Sequence, residues 1–493
     1  MTRRSTTDLT QWLAPFLARL GHKARRRMCP LYVEGLVGVG ERKSVEPMAA
    51  RLAPGDYDQL HHFISGGVWN EAPLEEELAI QADRLIGGAK TILVIDDTAL
   101  PKKGTHSVGV APQYASALGK NANCQTLVSL TLARDELPIM IGLRLFLPEN
   151  WTDDANRMAK AGIPEECRVA RTKPEIALAE IDRVLAAGVR FGVVLADAGY
   201  GLSAPFRHGL DVRGLTWAVG IPRHQKVYPC DVQLIFPVAG RGRPRKRHIP
   251  DQLSIPAEDM LEQAKWRRLS WRKGTKGPLS AAFAAVRVRI ADGPPQRIGD
   301  KGQQHMPGEE AWLVGERRSS GERKYYLANL PADADLKTLA ATIKARWVCE
   351  QAHQQLKEEL GLDHFEGRSW HGLHRHALMT MIAYAYLQSR RLAEASGGKK
   401  NPERPAATKP AGDSPHRHRH PRSRAALQMP ALQRRPTQDD RINLQSSARL
   451  TDNSQNTPSP ISPFARCLPQ TQFGNEILHG ARRHRKLLRR HAG

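Results

Sequence analysis

Hydrophobic and polar positions follow one period at the start of the chain and another further on. From about residue 7 to residue 90 the spacing is helical. Leu9, Trp12, Leu13, Phe16, Leu17 and Leu20 recur three and four apart, the pattern of one apolar helix face. Thr7 or Asp8 is placed to cap that helix. Further periodic segments between Leu31 and Leu85 are broken by Pro47, the turn at Ala53 to Asp56, and Pro73. The run His22 to Arg27 is expected at the end of the first helix, where basic side chains complement the dipole.

The period then changes. Thr91 to Asp97 is a short, continuous apolar run rich in β-branched residues, which predicts a buried strand ending in two acids, Asp96 and Asp97. A polar turn with Lys102 and Lys103 is expected next. Asn123 to Asp135 and Leu137 to Pro148 predict two strands joined by a tight turn near Asp135. After a loop with a short helix, Thr172 to Gly188 is an amphipathic helix ended by glycine. A second buried strand follows and delivers Asp197 into a turn bared by Gly199 and Gly201. An acid at the end of a buried strand, beside an open turn, is a common ligand or metal position in α/β sheets. An acid at a strand end is also an ordinary turn or cap residue.

Between roughly 205 and 335 the simple alternation stops. Short strands are expected around Trp217 and Leu234, and longer ones over Ala281 to Gly293, Glu309 to Arg318 and Arg323 to Pro331. Trp266 and Trp271 are interleaved with bases, as on a nucleic-acid-tracking surface or as core residues of a basic strand pair. Gly240 to Pro250 is almost entirely base, glycine and proline, with Arg241, Arg243, Arg245, Lys246 and Arg247. It reads as an extended segment able to lay arginines in a minor groove or simply to touch phosphates.

Asp333 to Gly367 predicts a helix carrying Arg346, Glu350, His353 and Lys357 at i, i+4, i+7 and i+11, on one face. Such a face is a solvated stripe of ion pairs, or it holds a divalent cation and a phosphodiester. One more helix, with a strongly apolar side, is expected from His374 to Arg391. Past about Ser396 the chain is proline, glycine and base without period, the composition of a disordered basic tail. A shifted or divergent reading frame would produce the same loss of pattern.

Charge sharpens the picture. The 493 residues carry 74 Lys and Arg against 50 Asp and Glu, a net +24. That balance points first to nucleic acid and only second to an anionic membrane surface. No run approaches the ~18 apolar residues of a membrane span. The six cysteines are scattered without a Cys-x2-Cys pair, which argues against a zinc ribbon and against a disulfide framework and fits a reducing cytoplasm. Three carboxylates in the order strand, strand, helix can hold two divalent cations for phosphoryl displacement. An all-oxygen set favours magnesium or manganese.

LVIDDT, VVLADAGYG and the Arg346–Glu350–Lys357 spacing together resemble a DDE-superfamily transposase of bacterial insertion sequences. The spacing matches that family's Tyr-x2-Arg-x3-Glu-x6-Lys helix, except that Ile343 stands in the tyrosine place. The likeness covers roughly residues 30 to 390. It implies an α/β fold: a ribonuclease-H-like core (89–204 and 333–393), a β-rich insertion (205–332), an N-terminal helical region (1–88) that binds DNA ends, and the basic tail (394–493). It further implies Asp197 and Glu350 as metal ligands with Asp96 or Asp97. An Asp-x-Thr pattern selects Asp96; a flush alignment of the apolar run selects Asp97. Arg346 and Lys357 would position the phosphodiester. The implied partners are the terminal inverted repeats, target DNA and a second copy of the chain on DNA, in a bacterial cytoplasm at the nucleoid. A non-catalytic DNA-binding descendant and a general nuclease of the same fold remain as alternatives.

Overall fold

A computed structural model describes residues 3–115, 118–236, 247–274, 277–297 and 302–397. The expected tail from residue 398 onward, and Arg241, Arg243, Arg245 and Lys246, lie outside the described residues.

The chain begins with helices α1 (Arg3–Ala18), α2 (Lys23–Val37), α3 (Val45–Leu52), α4 (Tyr57–His61) and α5 (Ala72–Ile86). His22 to Arg27 opens α2 instead of closing α1. The break is at Gly21, and the His22 ring accepts the Ala24 N–H as N-cap. Arg25 and Arg26 are spent on the carbonyls of Val68 and Leu20, and Arg27 on Asp56.

The strands are β1 (Ile92–Pro101), β2 (Ala111–Ala115), β3 (Lys120–Arg134), β4 (Leu137–Leu145), β5 (Val193–Ala196), β6 (Trp217–Ile221), β7 (Lys226–Pro229), β8 (Leu234–Ile235), β9 (Ile249–Pro250), β10 (Ile255–Pro256), β11 (Arg267–Gly274), β12 (Gly277–Arg297), β13 (Gln303–Arg317) and β14 (Arg323–Ala328). Twelve of those described form one sheet in the order β10-β7-β12-β13-β14-β6-β5-β1-β3-β2, with β4 on β3 and β11 on β12. β1, β5 and β6 run parallel; β3 is antiparallel to β1, and β14 to β6. Apart from β8 and β9, which pair with each other, the strands after residue 205 therefore extend the sheet of the first strands without a break. β6, expected outside the α/β alternation, lies inside it.

Between β4 and β6 come α6 (Glu149–Thr152), α7 (Ala155–Lys160), α8 (Lys173–Ala186), α9 (Ala198–Gly201) and α10 (Ala204–Val212). α8 has the capping box its sequence spells, Thr172 with Glu175. α11 (Ala257–Met260), α12 (Leu336–Lys344), α13 (Val348–Glu358) and α14 (Trp370–Gly397) complete the chain.

Two further expectations are corrected. β1 does not end at its acids. It runs on to Pro101 because long β3 keeps pairing it, Pro101 opposite Cys124, after β5 has stopped. The stretch from Asp333 is not one helix either: a 3-10 turn at Ala345–Trp347 separates α12 from α13. That turn is braced from β11, where Arg272 stacks on Trp347 and Trp271 lies under the Lys344 ammonium. The tryptophans of the basic strand are thus packing residues. Trp271 also meets Phe283 edge-on, and Arg317 covers Trp266.

Candidate active site

β1 and β5 fix the geometry. Ile95 pairs with Ala196, so the next residues, Asp96 and Asp197, emerge side by side where β5 ends. Side chains alternate along a strand, so Asp96 and Asp97 face opposite sides of the sheet. Asp96 faces α13. Its Oδ2 lies 2.5 Å from Arg346 Nη1 and 3.0 Å from the Cys349 thiol, and its Oδ1 accepts the Asp97 N–H. Asp97 faces α8 and α9, 2.5 Å from Lys173 Nζ and 2.5 Å from the Tyr200 hydroxyl. Asp197 accepts the Gly199 and Tyr200 N–H groups at 2.9 and 3.3 Å, capping the turn behind it.

Arg346 also donates to Glu350 at 2.7 Å, linking the helix acid to Asp96. Glu350 is 63% exposed at the rim. His353 and Lys357 turn inward: His353 meets the Ser129 hydroxyl at 2.8 Å, and Lys357 donates to the Ala99 carbonyl at 2.9 Å. The structure thus brings Asp96, Asp197, Arg346 and Glu350 to one side of β1, sets Asp97 on the other with Lys173 and Tyr200, and seats Lys357 further along β1. Arg247 is exposed ahead of β9. Lys173, Tyr200 and Cys349 were not singled out in the sequence. Tyr200 stood in the ADAGYG turn, and Lys173 beside the α8 cap, without a pattern naming Asp97 as their partner.

The electrostatics separate the acids. Burial works to raise the Asp96 pKa, but Arg346 and the surrounding donors outweigh it and hold the carboxylate below its ordinary range. Asp97 is raised by burial in spite of Lys173. Asp197 is raised by burial and then by the negative charge of Asp96. Two clefts meet at Asp197. One, of about 570 Å³, has Asp97, Lys173, Tyr200 and Arg171 on its walls. The other, of about 730 Å³, is lined by Arg223, Arg323, Lys324, Tyr326 and Arg346.

Among the described residues no three His, Cys, Asp or Glu side chains converge as a ready metal cage. The donor chemistry nevertheless fits a hard divalent cation. Asp96, Asp197 and Glu350 are oxygen donors, and the Asp96 charge that adds to burial in raising Asp197 is what a cation would relieve.

A mixed α/β sheet with acids side by side on adjacent parallel strands defines a class of site, and comparison with known proteins defines the family. Residues 15–278, more than half of the chain, match the family profile described as DDE superfamily endonuclease, and the chain belongs to that family. The matched stretch contains Asp96, Asp97 and Asp197 and stops short of Glu350. The chain is 28% identical over 191 residues to a probable transposase for insertion sequence element IS701 from Microchaete diplosiphon. That stretch is 38% of this chain and 46% of the relative, so the chain matches less than half of the relative's length. A cryo-EM structure of a piggyBac transposase synaptic complex with hairpin DNA overlaps 80% of this chain and 74% of that one, at 11% identity and a TM-score of 0.36. Among the described residues no helix is long and apolar enough to cross a membrane.

Proposed function

We propose that this chain is an insertion-sequence transposase that cuts DNA at the terminal inverted repeats of its element and joins the freed 3′-hydroxyls to target DNA. Its core is of the ribonuclease-H-like kind, with β7 and β11 to β14 as a β-rich insertion. The order β3-β1-β5-β6, with only β3 antiparallel, supports that reading of the core. One observation carries the functional reading: Asp96 and Asp197 emerge from adjacent parallel strands, and Arg346 ties Asp96 to Glu350.

In this reading Asp96, Asp197 and Glu350 hold magnesium or manganese. When bound, the cations supply Lewis-acid activation of the attacking oxygen and stabilise the leaving oxygen. Arg346, Arg323, Lys324 and Arg223 bind the phosphodiester along the second cleft. Asp97 is not a ligand; it orients Lys173 and Tyr200 on the opposite side of β1. Lys357 supports β1 through the Ala99 carbonyl, with no phosphate contact of its own. The N-terminal helices take the DNA ends, and two copies act together on DNA in the bacterial cytoplasm.

The test is a cleavage assay on DNA carrying the terminal repeats, with and without magnesium. Metal-dependent nicking followed by strand joining is expected. Tight binding without cleavage would turn the reading to a non-catalytic DNA-binding protein. Cleavage without joining would turn it to a general nuclease.

A further inference from the structure

Two of the buried charge clusters among the described residues join the β12–β13 hairpin to elements beside the acids, one to α10 next to the Asp197 turn and one to α12 ahead of the Arg346 turn. The first is built on Asp292 of β12. Its Oδ2 accepts Arg207 Nη2 of α10 at 2.8 Å, both side chains being almost wholly buried. The same guanidinium donates to the Gly201 carbonyl, at the end of the turn that Asp197 caps. Gly308 makes room for the carboxylate, because a Cβ there would lie 2.2 Å from Asp292 Oδ1.

The second cluster is built on Glu316 of β13, which is fully buried. Its Oε1 accepts Lys344 Nζ and Arg318 Nε, each at 2.9 Å, and its Oε2 accepts the Tyr326 hydroxyl at 2.9 Å. Lys344 is the last residue of α12, and the next turn presents Arg346.

A buried ion pair is a poor source of net stability, because desolvation offsets most of the attraction. Its effect is directional: each charge must sit where its partner is. The hairpin's two strands pair from Ala282 opposite Arg317 to Arg297 opposite Gln303, with register shifts on both sides of Ala291 that leave Asp292 at a bulge between paired stretches. It therefore sets one anchor against the other.

We infer that Asp292 and Glu316 are positioning residues, and that the β12–β13 hairpin is a splint fixing the Asp197 turn and the Arg346–Glu350 turn relative to each other. The inference rests on the reading of those acids as the cleavage site.

Asp292→Asn and Glu316→Gln in the full chain test it, each read by amide hydrogen exchange and by single-turnover cleavage of terminal-repeat DNA. Loss of a buried charge pair is expected to raise exchange at least about ten-fold in the braced segment only, residues 198–203 for Asp292→Asn and 344–350 for Glu316→Gln. The amides of β1 and β3 keep the protection they have in the parent chain. The maximal cleavage rate is expected to fall about ten-fold or more, with half-saturating DNA within about two-fold of the parent.

Unchanged exchange in the braced segment, loss of protection spread over the whole sheet, or an unchanged maximal rate overturns the inference. If Glu316→Gln does not fold, Tyr326→Phe keeps both ion pairs and removes one hydrogen bond. A rise of about three-fold at 344–350 is then expected, and no rise overturns the inference. A parent chain that does not cut DNA sinks the cleavage reading alone; the exchange measurement still decides the splint.

Discussion

Arg346 and Asp96 stand 250 residues apart in sequence and 2.5 Å apart in space. One guanidinium serves Asp96 from Nη1 and Glu350 from Nη2, a fixed two-nitrogen fork that the single nitrogen of an ammonium does not reproduce. Arg346→Lys is therefore expected to lose one of the two links. Cleavage should fall about 10²-fold for Arg346→Lys and about 10³-fold for Arg346→Ala, the scale of removing a donor from developing transition-state charge. Single-turnover rates measure it; Lys at parental rate would refute the bridging role.

Asp96 and Asp97 differ in which side of the sheet they face, and their substitutions should differ accordingly. Asp96→Ala is expected to abolish strand cleavage. Asp97→Ala should leave it within about ten-fold of the parent, as expected for a group that orients others rather than touching the reacting atoms. The reverse ranking would move the metal site to the α8 face.

His374 and His376 set a pH limit on stability. Each ring uses one nitrogen as donor and the other as acceptor. His374 Nδ1 meets the Trp370 carbonyl and its Nε2 takes the Leu145 N–H, while His376 stands between the Tyr32 hydroxyl and the Gly361 carbonyl. Both rings are therefore neutral in the fold, and burial lowers His374 to about 3 and His376 to about 4. The unfolded chain takes up protons from about pH 6.5 downward and the folded chain does not, so folding stability is fully present above pH 6.5 and drains away as pH falls. Urea denaturation between pH 7 and pH 5 should show a loss approaching roughly 1.4 kcal/mol per pH unit per ring below pH 6. A flat profile would mean that the rings are charged or exposed.

Arg375 is buried on α14 and donates to Glu71 and to the carbonyls of Ile64, Gly67 and Trp69. Removing it strands those acceptors away from water. Arg375→Met is expected to cost about 3–5 kcal/mol of unfolding free energy in chemical denaturation. A change under about 1 kcal/mol would show that the packing there reorganises without it.

The legible parts of the sequence were those with a local cause. β5 follows from an apolar run, α8 from an amphipathic period ended by glycine, and the acids from their places at the ends of apolar runs. What was not legible depends on distant partners. β1 was read as ending at its acids because Thr98, Ala99 and Leu100 look like a turn until β3 pairs them. The helix from Asp333 was read as unbroken because its break is held by Trp271 and Arg272, some 70 residues upstream in sequence. Lys173 and Tyr200 carry no motif; only the alternation along β1 makes them partners of Asp97. Lys357 had the right spacing on the helix, but the helix lies against the sheet and turns it inward.

The packing of the N-terminal helices on α14 has a consequence for how the chain is made. The Tyr32 hydroxyl bonds to His376, 344 residues later, and Cys29 meets Met379. Contacts of such separation form late and slowly. While the chain leaves the ribosome, the part of α2 that packs on α14 stays uncovered until α14 has been synthesised, although α1, α3 and α4 already cover the rest. A product stopped before Trp370 would carry Asp96 and Asp197 with that face still open, and such surface drives aggregation.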